Sequence, residues 1–345
     1  MDWLLSRTAR DAKALGRPAA LIRSYFMTAM MRCVIALTAA VVAGHAIAAD
    51  FPVKPVRLIV PFPPGGTIDV VARLIGDKLR TTWTQPVIVE NRVGGNGTLA
   101  VDHVAKSAPD GHTLLVHAFL LVTVPHLQRT PYDVTRDLVG VTQTLATAYA
   151  LAATTKSGFT SWDDVIAAAR KDPKRLNYGS GGNGSAQHLF VEMAANAARI
   201  ELTHVPYKGN GPAQQAFLSG EIDLMFDPTN TVIPLVKSGR ARALLVSGDR
   251  ELAGLPGTPP LGRVYGGLGI DGWHGIYAPA ATPKPIVDQI SSAVRGAVLS
   301  PELSARFRDM GFEAVGLEST AFNELIRRDF ERWGKVIRDN NIRAD

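Results

Sequence analysis

The stretch Val56-Arg57-Leu58-Ile59-Val60-Pro61-Phe62-Pro63-Pro64-Gly65-Gly66-Thr67-Ile68-Asp69 decides how the rest of this chain is read. An apolar run stops at Pro61, prolines and glycines fill the next positions, and Val70, Val71, Leu74, Ile75 and Leu79 then recur at spacings of three and four. A short apolar run bounded by turn residues is a strand buried on both faces, and the periodic run after it is a helix. The reading is strand 56–61, turn 62–67 and helix 68–80. The same order follows at once as strand 87–90, Gly-rich turn 94–97, helix 98–106 and strand 113–117. Strands alternating with helices predict an α/β fold built on a parallel sheet covered on both faces.

A second unit repeats the pattern. Residues 145–153 are apolar, and a helix to Arg170 is capped by Thr160 or Ser161, with Asp163 placed to complete a capping box. Strand 176–178, turn 179–184, helix 185–197, strand 201–205, helix 211–219 and strand 222–226 come next. Residues 241–246 read as a strand, 249–272 as a Pro/Gly-rich return and 273–278 as a strand, before helices at 284–299, 301–310 and 319–340. In the last helix Phe322, Leu325, Ile326, Phe330, Trp333, Val336 and Ile337 form one core-facing stripe.

Length and charge narrow the function classes. A chain of 345 residues has room for two domains, and one cysteine excludes a disulfide scaffold. The net charge of +6 is concentrated at the start: residues 1–48 hold six basic and two acidic residues, leaving 31 basic against 29 acidic in the body. That near balance removes the case for a nucleic-acid surface. After Arg32 an apolar run from Cys33 to Val42 leads to Ala46-Ile47-Ala48, the order of a secretory signal peptide. Cleavage after Ala48 would leave a cysteine-free exported chain starting at Ala49, whichever of Met1, Met27, Met30 or Met31 begins translation.

Three strand-to-helix turns carry the chemistry: 61–69, Gly94-Gly95-Asn96-Gly97-Thr98 and Ser180-Gly181-Gly182-Asn183-Gly184-Ser185. Glycines admit a ligand to the backbone, and the first turn of the next helix offers free N–H groups and a positive dipole end, so each turn suits an anion. None ends in Gly-Lys-Ser/Thr, which excludes a Walker loop. Gly95 to Ala100 fits a dinucleotide pattern, but no acidic residue follows the next strand to hold a ribose. There is no H-E-x-x-H, no G-x-S-x-G and no histidine spacing for a metal, so no metal or cofactor is expected. His188 is read as a hydrogen-bond donor, and Asp69 and Asp227 either as caps or as acceptors for a ligand.

Six ordered motifs then carry a resemblance: 54–62 with the following Pro63 to Asp69, Val89-Glu90-Asn91-Arg92, Pro109-Asp110-Gly111-His112-Thr113-Leu114, Asn177 to Gly184, His204-Val205-Pro206-Tyr207-Lys208-Gly209, and Gly239-Arg240-Ala241-Arg242-Ala243-Leu244. They resemble the Bug/TctC family, the periplasmic solute-binding proteins of tripartite tricarboxylate transporters. The resemblance implies a type II periplasmic binding protein fold: two α/β lobes joined by a two-crossover hinge, with the ligand cleft between them. Lobe 1 would hold 49–149 with 270–345 and lobe 2 would hold 150–269, after the extension and signal of 1–48. The chain would cross near 147–154 and return near 266–273. Carried over to this sequence, Phe62, Gly66, Thr67, Asp69, Asn96, Gly97 and Ala118 line one wall. Ser180, Gly184, Ser185, His188, Tyr207, Lys208 and Asp227 line the other, with Lys208 as charge partner.

Two departures stand out, His117-Ala118-Phe119-Leu120-Leu121 where relatives place small hydroxyl residues, and Asp227-Pro228 where they place Asn after the aspartate. Both favour a bulkier or aromatic acid over a simple dicarboxylate. The resemblance implies a monomeric periplasmic receptor that presents a di- or tricarboxylate or an aromatic acid to transporter subunits or a sensor kinase, with no nucleic acid involved. Two other readings stand beside it: an exported α/β enzyme using Asp69 or His188 as base, and an effector domain of a transcription factor. The export signal and the absence of a preceding DNA-binding helix pair oppose the last.

Overall fold

The computed structural model describes residues 51–339 and 342–343; the signal-peptide reading of 1–48 lies outside them. In chain order the elements are β1 (Val56–Val60), α1 (Thr67–Leu79), β2 (Val87–Asn91), α2 (Thr98–Ala105), β3 (Thr113–Ala118), α3 (Leu120–Leu127), α4 (Val134–Asp137), β4 (Leu138–Thr147) and β5 (Tyr149–Thr154). They continue with α5 (Trp162–Lys171), β6 (Asn177–Ser180), α6 (Ala186–Ala198), β7 (Thr203–Pro206), α7 (Asn210–Ser219), β8 (Leu224–Pro228), α8 (Thr229–Lys237) and β9 (Ala241–Val246). The chain ends with α9 (Leu261–Val264), β10 (Gly272–Pro279), α10 (Lys284–Val298), α11 (Pro301–Asp309), β11 (Glu313–Leu317) and α12 (Ser319–Asp339).

Two sheets result. One has the order β11-β4-β10-β3-β1-β2 and the other β7-β6-β8-β5-β9, so the molecule has two α/β lobes. β1 shows why its run is unbroken: Leu58 and Val60 pack under α1 and α10 with Val71, Ile75 and Ile290, while Ile59 faces the opposite way toward Val101 and Val104. Alternate residues thus serve two cores at once.

The expectation of a parallel sheet needs correction. β1 pairs in parallel with β2 and β3, and β6 with β7 and β8, but β10 runs antiparallel to β3 and β4, and β5 antiparallel to β8 and β9. One strand at each crossing, β5 and β10, runs against the parallel strands of its sheet. β4 leaves the first sheet at Thr147, and β5 enters the second at Tyr149 through the single residue Ala148. The chain returns through 247–271 into β10. The apolar run at 145–153 is therefore two strands of two sheets. The capping box of α5 closes on Asp164, not Asp163, with Ser161 as its cap. Asp164 is the third residue of the helix, the one whose N–H the cap hydroxyl meets.

The two crossings are tied to each other. Tyr149 N–H donates to Ser247 Oγ at 2.8 Å, Ser247 N–H donates to the Tyr149 carbonyl at 2.9 Å, and Ser247 Oγ donates to Asp271 Oδ1 at 2.5 Å. Behind them an aromatic group spans the lobes: Phe190 of α6 lies 5.0 Å from Trp333 of α12, 5.3 Å from Tyr149 and 4.9 Å from Phe226.

Candidate functional site

The turns after β1, β2 and β6 and the helix after β3 meet at one place. A cavity of about 190 Å³ lies there, lined by Phe62, Asn96, Leu120, Val124, Leu127 and Gln128 from the first lobe and Asn183, Gly184 and Ser185 from the second. It sits beyond the carboxyl ends of β1 and β6, where open α/β sheets leave a crevice.

The first turn is fixed by a charge. Asp69 is buried, and its carboxylate accepts from Gly65 N–H, Arg73 Nε and Asn91 Nδ2 at 2.9, 2.9 and 2.8 Å. Burial would raise its pKa, but the hydrogen bonds from Arg73, Gly65 and Asn91 outweigh that and hold it at about 2. Asn91 also donates to the Phe62 carbonyl at 2.9 Å, so Asp69 sets the path of the turn that presents Phe62. The N-cap of α1 is Gly66, without a side-chain cap.

The second turn is shaped by close packing. Gly97 has φ +90°, and a Cβ there would stand 3.1 Å from both His117 Nε2 and Pro61 Cβ. Asn96 Nδ2 donates to Gln128 Oε1 at 3.4 Å, while Gln128 Nε2 donates to the Gly95 carbonyl and Thr98 Oγ1 at 3.1 and 3.0 Å.

The third turn is held by a hydroxyl and two imidazole rings. Ser180 Oγ accepts from Gly182 N–H at 3.1 Å and lies 2.6 Å from His204 Nε2. Gly184 N–H donates to His188 Nδ1 at 3.1 Å, so this ring nitrogen accepts where a donor was expected, which requires it to be unprotonated. The His188 and His204 rings stack at 3.9 Å. Ser185 caps α6 by accepting from the His188 N–H.

Of the sequence candidates, Phe62, Asn96, Gly184 and Ser185 line the cavity together. Gly66 and Thr67 are exposed at the start of α1, and Gly97 and Ala118 are buried behind the lobe 1 wall. Ser180 and His188 brace the third turn from behind. Tyr207 is half-buried under that turn, its N–H donating to the Ser180 carbonyl, and Lys208 is exposed outside the cavity lining. Asp227 lies within β8, not after it, accepts from Gln187 Nε2 at 3.1 Å, and is raised to about 6 by burial. His117 is buried behind Phe62, their ring centroids 5.8 Å apart, and Phe119 packs into the Phe190 and Trp333 group, so Leu120 alone of that departure lines the cavity.

Sequence reasoning flagged Leu120 within the departure at 117–121 and missed Val124, Leu127, Gln128 and Asn183. Leu120, Val124 and Leu127 recur at steps of four and three after β3, which is a helical signal, but Pro125 inside α3 obscures it.

Residues 71–342 match the family described as the tripartite tricarboxylate transporter family receptor, TctC. The chain belongs to that family. It is similar to the protein BugT of Bordetella pertussis, with 29% identity over 90% of this chain and 96% of that one. Among solved structures, R. palustris Rpa4515 with adipate superposes with TM-score 0.71 at 29% identity, covering 86% of this chain and all (100%) of that one. MatC (Rpa3494) from Rhodopseudomonas palustris with bound malate gives TM-score 0.68 at 29% identity, over 83% and 100%. TctC and Bug proteins are periplasmic solute-binding receptors, and the two-lobed architecture described above is theirs. Among the described residues no group of His, Cys, Asp and Glu is arranged to hold a metal, and no helix is long and apolar enough to cross a membrane.

Proposed function

We propose that this protein captures a small carboxylate between its lobes in the periplasm, returns it unchanged, and presents it to a tripartite transporter or to a sensor kinase. The observation that carries the reading is the cavity lined from both lobes by Gly-rich turns, one of them opening the 13-residue helix α6. Helix N-termini favour anions, and a site split between lobes couples binding to closure. The adipate and malate held by the two related structures agree with this chemistry. On this reading Phe62, Asn96, Gly184 and Ser185 touch the ligand, Gly66, Thr67 and Lys208 meet it at the rim, and Asp69, Gly97, Ala118, Ser180, His188, Tyr207 and Asp227 shape the walls. The lobes divide at Ala148 and within 247–271, and export proceeds by cleavage near Ala48.

A thermal-shift panel of mono-, di- and tricarboxylates, amino acids and nucleotides tests this. A carboxylate at about 100 times its Kd should stabilise the fold by about 2.7 kcal/mol. Mass spectrometry should recover it intact. A hit that is consumed, or a response confined to nucleotides, would make the protein an enzyme or a nucleotide binder instead.

A further inference from the structure

We infer, building on the carboxylate-receptor reading, that the cavity selects an acid with one carboxylate and an apolar body, an alkyl chain or a single aromatic ring, over a dicarboxylate of the same length. Leu120, Val124 and Leu127 lie on one face of α3, and with Phe62 they make the lobe 1 wall apolar. Among the described residues no Lys, Arg or His lines the cavity. The two lobe 1 amides are already committed, Asn96 to Gln128 and Gln128 to the Gly95 carbonyl and Thr98.

What can meet a negative charge lies on the lobe 2 side. The first N–H groups of a helix have no partner inside it. Ser185 Oγ takes that of His188, which leaves those of Ala186 and Gln187 beside the Ser185 hydroxyl. That end suits one carboxylate. A second, carried on the far end of the ligand, would lose its hydration against Phe62, Leu120, Val124 and Leu127, where the wall itself supplies no cation to offset the loss. Size agrees: the cavity holds about 190 Å³, and an apolar cavity of about 150 Å³ accepts a benzene ring.

Calorimetric titration of the purified protein with matched pairs tests the inference. Hexanoate and adipate share a carbon count and differ at one end, and terephthalate is benzoate with a second carboxylate on the para carbon; malate serves as the compact polar acid. Hexanoate and benzoate should bind about tenfold or more tightly than their diacid partners. Tighter binding of adipate than hexanoate overturns the inference and leaves the receptor reading intact. No binding of any acid overturns the receptor reading itself.

The wall is tested by Leu127→Lys and Leu120→Lys, both at half-buried positions, with circular dichroism confirming the fold. Each should shift the adipate to hexanoate ratio toward adipate by about tenfold. An unmoved ratio in a folded variant assigns selection elsewhere and overturns the role given to α3. If both variants unfold, Val124→Thr, of nearly the same volume, should weaken hexanoate relative to adipate, and an unchanged ratio there has the same overturning force.

Discussion

The first and third Gly-rich turns meet at one cavity and are held by opposite chemistry. The first is fastened by an ionised carboxylate, with Asp69 accepting from Gly65, Arg73 and Asn91. The third is fastened by the Ser180 hydroxyl and by ring nitrogens of His188 and His204. The difference teaches where charge is available. Arg73 is consumed by Asp69 in building lobe 1's wall, so a bound acid meets apolar side chains there. Lobe 2 fastens its turn without a carboxylate and offers backbone N–H groups to the ligand. Both turns are set before the ligand arrives, which lowers the ordering cost of binding.

Acid should disturb this arrangement most. His117, beneath the second turn, and its neighbour His274 are buried and neutral, each lowered by burial to about 4. Their folded pKa values lie below the unfolded 6.5, so the unfolded chain binds more protons between those limits. Stability is therefore complete above about pH 6.5 and falls as pH drops toward 4, by several kcal/mol in all. Asp227 acts in the opposite sense. Its folded value of about 6 exceeds the unfolded 3.8, so its ionisation destabilises the fold as pH rises across that window, and acid restores part of the loss. Urea midpoints at pH 7 and pH 5 measure the balance, and His274→Gln should flatten the slope.

Asp69→Ala comes next. Removing an acceptor of several hydrogen bonds, one of them from a guanidinium, should cost about 2–3 kcal/mol and release the turn that carries Phe62. Ser180→Ala, the matching change in the third turn, removes hydroxyl hydrogen bonds and should cost about 1 kcal/mol. Equal losses in denaturant melts would erase the contrast between the two turns.

Gly184 joins the two walls. Its φ is +72°, and a Cβ there would stand 2.8 Å from Leu127 Cδ1 in the other lobe. Gly184→Ala should cost about 1 kcal/mol in backbone strain and weaken ligand affinity further by obstructing closure. Adding Leu127→Ala should return part of the affinity and none of the backbone cost. Additive affinities in that double-mutant cycle would mean the two residues do not meet in the closed state.

The sequence discloses the parts of this molecule that follow a period. Leu58 to Val60 and the stripe of α12 are placed by hydrophobic spacing alone, and β9 has the limits read for it. β4 escaped because it buries polar residues. Thr142 Oγ1 donates to the Leu317 carbonyl at 2.6 Å and Thr144 Oγ1 to that of His274 at 3.1 Å, so hydroxyls that look like loop residues are satisfied inside a sheet. β11, its antiparallel neighbour, escaped with it because a pairing between distant segments leaves no local mark. In the site, glycines revealed the turns and the departure at 117–121 marked the start of the apolar wall, while its continuation through Val124 and Leu127 was concealed by Pro125 and by its distance in sequence from the turns it faces.

A crystal structure of the protein with its tightest-binding acid tests the central claim most directly. The account predicts the carboxylate within hydrogen-bond distance of Ser185 at the start of α6 and the rest of the molecule against Phe62, Leu120 and Leu127. An acid bound outside the interlobe cavity, or with its carboxylate against α3, would contradict it.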